Sequence, residues 1–189
     1  MKVKQVDKRE LGRCCRKNKL LCTFTDSDNV QWVSDGAAAF AYGADHIDRE
    51  TLIKQLGISE YKLVFENRPY NEKVLHEGEA YEKLAWKENF EVSSNKGRII
   101  IIANNDNAVM IYQKYLRIVR DSDYVLYLRP YKKNYVVAVK DVSGRLIAII
   151  MPVIYASSKL KRMSEVIENL KKDDIFELVK EGGVHNGKI

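Results

Sequence analysis

Cysteine is scarce in this chain of 189 residues: there are three, Cys14, Cys15 and Cys22. The number is odd and the adjacent pair lacks the spacing of metal ligands, which argues against a disulfide framework or a zinc site and points to a reducing, cytoplasmic setting. Long apolar runs are missing too. The most apolar stretch, Arg98 to Ala103, is too short to span a bilayer, and the first twenty residues are too polar for a secretory signal, so neither a targeting nor a membrane segment is expected. There is no glycine-rich phosphate loop, dinucleotide-binding fingerprint, low-complexity tract or short repeat of the kind that builds solenoids. The three histidines, His46, His76 and His185, lie in separate, weakly patterned segments, and no nucleophile and base can be paired from their order.

What is present is ordinary for a folded domain. A hydrophobic fraction of 46%, a charged fraction of 31% and 11 tyrosines argue against disorder, and the length suits one domain, or one domain with an appendage. The net charge of +6 favours anionic partners, but only the placement of the charges can say where such a partner would sit.

Lys2 to Val6 alternates like a strand, and Asp7 followed by Glu10 is a capping pattern for a helix from about Lys8 to Lys17. Leu20 to Thr25, Val30 to Ser34 and Ala37 to Tyr42 read as strands, parted by the turn signals Asp26-Ser27-Asp28-Asn29 and Asp35-Gly36. Asp48 opens a second helix through Leu52, Ile53 and Leu56, which Gly57 ends, and Tyr61 to Phe65 reads as a strand. From Glu66 to Lys96 no clear period holds. Arg98 to Ala103 is a β-branched run typical of a buried strand, closed by Asn104-Asn105-Asp106-Asn107. Val109 to Val153 then reads as a short strand, a helix carrying Tyr112, Tyr115, Leu116 and Val119 on one face, and strands at Tyr124 to Leu128, Tyr135 to Val139 and Leu146 to Met151, with a hairpin at Ser143-Gly144. After Pro152, helices are expected over Ser158 to Lys172 and Ile175 to Val179.

The order strand, helix, three strands thus occurs twice, at residues 2–42 and 109–153, which suggests a duplicated architecture. At about 100° per residue, Arg9, Arg13 and Arg16 share one side of the first helix while Leu11 and Cys14 share the other. In the second unit Lys114, Arg117 and Arg120 likewise lie off the face of Tyr112, Leu116 and Val119. Cations solvate the outer face of many amphipathic helices; two equivalent stripes give weight to phosphate contacts, which would be independent of sequence and sensitive to salt.

The second unit, with Tyr112-Gln113-Lys114-Tyr115-Leu116-Arg117, Asp123-Tyr124-Val125-Leu126-Tyr127-Leu128 and Ala148-Ile149-Ile150-Met151-Pro152-Val153, resembles the closing half of a bacterial DNA polymerase sliding clamp domain. Trp32-Val33-Ser34-Asp35-Gly36 is similar to the Thr-Asp-Gly turn of the same family. The resemblance, which covers about half the chain, implies paired units whose basic helices line a ring around double-stranded DNA and whose outer sheets carry contacts between subunits. Clamps string several such domains in one chain; this one has room for a single domain, so a ring would need a homo-oligomer. Ala37 and Ala38 stand where the family has a His and an Arg, so its peptide-binding pocket is not carried over.

The expectation is therefore an α+β clamp-like domain over residues 1–153, with helices on one face of an antiparallel sheet, a long connection at 43–108 and a helical tail at 154–189. Its function would be non-enzymatic, without cofactor or metal, with DNA contacted by Arg9, Arg13, Arg16, Lys114, Arg117 and Arg120. A second reading keeps the fold but gives it a protein partner. A third places a catalytic site at 66–96, which requires a pocket holding two or more of His76, Glu77, Glu79 and Glu82. Asp26, Asp28 and Asn29 could suggest an oxygen-ligand metal site, but the glycine and closing glutamate of a calcium loop are missing, and a hairpin turn is the better reading.

Overall fold

The computed structural model describes residues 6–43, 46–59, 64–67, 75–119 and 123–153. The expected first strand, apart from Val6, the C-terminal helices and Arg120 lie outside the described residues.

Helix α1 spans Lys8–Asn18; Asp7 caps it by accepting a hydrogen bond from the Glu10 amide at 3.0 Å, and Lys19 ends it in the left-handed conformation at φ 54°. Strands β1 (Leu20–Thr25), β2 (Gln31–Ser34) and β3 (Ala38–Gly43) follow as an antiparallel meander. Its first turn is made by Asp26, whose carboxylate accepts from the amides of Asp28 and Val30 and from the Trp32 indole at 2.7 Å. Those bonds use the acceptors a metal would need, which accounts for Asp26, Asp28 and Asn29 as a turn. Helix α2 (Arg49–Gln55) is capped by Asp48, and Gly57 turns the chain at φ 60°, as the capping pattern and glycine require. Gly12 of α1 is where the two helices meet: a Cβ there would lie 2.0 Å from the Leu56 carbonyl oxygen.

Strand β4 (Val64–Asn67) lies beside β1 in parallel; Tyr61 to Leu63 of the expected strand lie outside the described residues. The weakly patterned stretch contains a 3₁₀ turn at Glu79–Tyr81 and a 12-residue strand, β5 (Lys83–Ser94), that composition did not reveal. Strand β5 changes partners along its length. Lys83 to Ala85 pair with the later strand Tyr124–Tyr131, whereas Trp86 to Ser94 pair with β6 (Gly97–Ala103), with an irregularity between Lys87 and Glu91. Strand β7 (Ala108–Tyr112) returns along β6, and a short helix α3 (Lys114–Ile118) follows. A second meander, β8 (Tyr124–Tyr131), β9 (Asn134–Asp141) and β10 (Leu146–Ile150), completes the described chain. The fold is α+β, with one large sheet ordered β4-β1-β2-β3-β10-β9-β8-β5-β6-β7, antiparallel except at β4.

Both faces of the middle of this sheet are buried, which explains unbroken apolar runs such as Tyr135 to Val139. Val33, Phe40, Val137, Val139, Ala148 and Ile150 point to a main core that also takes Leu11, Cys14 and Cys15 from α1, Leu52 and Ile53 from α2, and Tyr115, Leu116 and Ile118 from α3. The intervening residues Trp32, Ala41, Val136, Ala138 and Ile149 form a second core on the opposite face, closed by Leu75. At about 1.5–3 kcal/mol for each large apolar side chain removed from water, the main core dominates the stability and fixes the helices on one face.

Candidate nucleic-acid interface

Helices α1 and α3 are neighbours on the main-core face. The Asp7 amide donates to the Ile118 carbonyl oxygen at 2.9 Å, joining the start of α1 to the end of α3. A buried carboxylate makes a second junction. Asp35, in the turn between β2 and β3, accepts from the amides of Ala37 and Ala38 through Oδ1, both at 3.0 Å. Its Oδ2 accepts from Asn18 Nδ2 at 2.8 Å and from the Tyr115 hydroxyl at 3.0 Å. One side chain thus ties the end of α1, the hairpin turn and α3 together. Burial, helped by the charge of Asp35, pushes the Tyr115 hydroxyl well above the ordinary tyrosine range, so it stays a donor.

Between the two helices runs an open groove of about 350 Å³, lined by Glu10, Arg13, Cys14, Lys17, Lys96, Gly97, Arg98, Gln113, Lys114 and Arg117. Six of these residues are cations and one is a carboxylate, so the local field is positive. Glu10 offsets Arg13 through contacts of 2.9 and 3.2 Å. Lys114 stands over the Tyr115 ring, its Nζ 4.5 Å from the centroid. Cys14 forms part of the floor, and burial pushes its thiol up to about 11, so it packs as a small apolar group instead of acting as a nucleophile.

Of the six residues expected to contact DNA, Arg13, Lys114 and Arg117 converge on this groove. Arg9 is exposed on α1 but does not line it. Arg16 turns the other way, its Nη1 donating to the Gly57 carbonyl oxygen at 2.5 Å at the end of α2. Lys17, Lys96 and Arg98 were missed. Lys17 could have been found by extending the Arg13 row by one helical turn. Lys96 and Arg98 come from the β5–β6 hairpin, whose turn signal, Asn95-Lys96-Gly97, was hidden in a stretch without period.

The candidates of the third reading are brought together, but by ion pairs. Arg129 is fully buried; its Nε donates to Glu82 Oε1 at 2.6 Å and its Nη2 also contacts that oxygen. Lys140 reaches Glu82 Oε2 at 2.7 Å and Glu79 Oε1 at 2.9 Å, and His76 Nδ1 lies 3.2 Å from Glu79 Oε2. Glu77 is exposed. Carboxylates held this way fasten residues 75–82 across the second core. A separate apolar feature lies nearby: Leu84 and Trp86 are exposed by 60% and 38%. Leu84 pairs with Tyr127, so its side chain and that of Trp86, two residues on, project from the second-core face.

No protein-family model, curated protein or solved structure matches the chain. Among the described residues, no group of three or more metal-ligating side chains comes together, and no helix is long and apolar enough to cross a membrane.

Proposed function

We propose that this chain is a clamp-like, non-enzymatic module that contacts double-stranded DNA without sequence preference through the groove between α1 and α3. The observation that carries the reading is the convergence of Arg13, Lys17, Lys96, Arg98, Lys114 and Arg117 on one groove. The strand order supports the duplicated architecture: β1-β2-β3 meets β10-β9-β8 at an antiparallel seam, and a helix precedes each meander. An approximate two-fold through that seam would interchange the meanders and the helices. Cations from both units would then face the same phosphates, as the likeness to sliding clamps implies.

The test is duplex binding at low salt by the full chain. Charge reversal at Arg13, Lys114 and Arg117 is expected to abolish it, with a smaller loss on reversal of Arg9. Absence of binding by the wild-type protein, or binding unchanged by the triple reversal, overturns the proposal. A ring would need several copies, so the mass in solution should exceed that of the 21.8 kDa monomer.

The exposed Leu84 and Trp86 favour a second reading, in which the fold serves a protein partner through its outer sheet face. Self-association that is lost in L84E/W86E, in a protein that does not bind duplex at low salt, would support that reading over the first.

A further inference from the structure

We infer that the β5–β6 hairpin is the second wall of the nucleic-acid site, and that Lys17, Lys96 and Arg98 hold the sugar-phosphate backbone of one strand against the helices. This rests on the anionic-ligand reading above and adds to it which part of the ligand is held and by what.

The hairpin is tethered to both helices. Lys17 Nζ donates to the Lys96 carbonyl oxygen at 2.8 Å, and the Gln113 amide donates to the Arg98 carbonyl oxygen at 2.9 Å. Within the tip, Ser94 Oγ donates to the Gly97 carbonyl oxygen at 2.6 Å and accepts from the Lys96 amide at 3.2 Å. Gly97 adopts φ +127°, with open space where a Cβ would be. The cations of the tip are therefore presented on fixed backbone, an arrangement that lowers the ordering cost of binding. With the helices on one side and the hairpin on the other, the cations of the groove flank a single run of backbone phosphates. Gln113 lines the groove but is engaged by Glu91 at 3.1 Å and by Arg117 at 3.3 Å. Glu10 is held by Arg13, and the other polar side chains are cations suited to phosphate, so the contacts carry no base preference.

Glu91 regulates this wall. Its carboxylate lies 3.0 Å from Lys87 and 3.3 Å from Arg98, and the Lys87 hydrogen bond holds its pKa below the usual glutamate value. A backbone phosphate entering the groove must compete with Glu91 for Arg98. Removing that carboxylate, as in Glu91→Gln, should therefore tighten binding, by about two- to fivefold for an exposed pair.

The experiment measures binding of the full chain to fluorescent 30-mers, single-stranded and duplex, across a salt series, with thermal melts confirming that each variant folds. For K96Q/R98Q the expected result is a salt slope shallower by about 1.8 on duplex and 1.4 on single strands, because two phosphate contacts are lost. E91Q is expected to bind more tightly, and single strands to bind comparably to duplex. If K96Q/R98Q keeps the wild-type slope while R13Q/K114Q/R117Q loses binding, the hairpin wall is overturned and the helix groove stands. Duplex binding without single-strand binding overturns the one-strand geometry. If the wild-type protein binds neither probe at low salt, both proposals fall together.

Discussion

Asp35→Ala should be the most damaging single substitution among the polar groups of the described structure. The carboxylate is buried at 2% exposure and accepts four hydrogen bonds: two from backbone amides of its own turn, one from Asn18 and one from Tyr115. Alanine leaves all four donors without that partner. Asn18 is exposed and can turn to water, whereas Tyr115 is buried at 1% and the Ala38 amide bond is buried. Counting about 1–3 kcal/mol for each of these two buried donors left unsatisfied, and little for the others, gives a loss of about 2–6 kcal/mol. That is a large share of the roughly 5–15 kcal/mol that holds a domain of this kind. Tyr115→Phe removes one donor only and should cost about 1–2 kcal/mol. Urea unfolding of the two single variants and the double variant completes the cycle, with an expected coupling of at least about 1 kcal/mol because the groups touch. A loss below about 1 kcal/mol for Asp35→Ala, or strict additivity with Tyr115→Phe, would refute the assignment of Asp35 as the junction of the two helices.

Three further outcomes follow from the same contacts. Gly12→Ala, a change that usually stabilises a helix interior, should here destabilise by about 1–3 kcal/mol in urea unfolding, since the new methyl meets the Leu56 carbonyl oxygen. Arg129→Met should cost about 3 kcal/mol, at the low end for a broken buried pair because Glu82 keeps Lys140; R129M/E82L should recover much of that loss. Glu79 is held below its ordinary value of 4.5, first by the hydrogen bond from Lys140, so its stabilisation is complete above that value and is lost as the pH falls through the lowered folded value. Glu79→Gln should accordingly flatten the decline in urea midpoint as the pH falls below that ordinary value.

The legible parts of the sequence were those where one local signal and one burial pattern agreed. Asp7 and Asp48 cap the helices they were expected to cap, and the meanders fall where β-branched runs alternate with Asp, Ser and Gly turns. The helix of the second unit proved shorter, because Tyr112 closes β7 and only Lys114–Ile118 coil. Strand β5 was illegible for a physical reason. Most of its described side chains are exposed, it changes partners at Ala85 and its register shifts after Lys87, so neither period 2 nor a continuous apolar run survives. The groove was half visible. Helical spacing identified Arg13, Lys114 and Arg117, but no local rule could bring in the hairpin or turn Arg16 toward α2, since both depend on residues some 40 to 80 positions away.

The central claim is that these cations bind phosphate, and the salt dependence of duplex binding tests it most directly. With three to six phosphates neutralised, the slope of log affinity against log salt should lie between about −2.7 and −5.4. R13Q/K114Q/R117Q should shift it toward zero by about 2.7. A wild-type slope near zero, or one that the triple substitution leaves in place, would contradict the account.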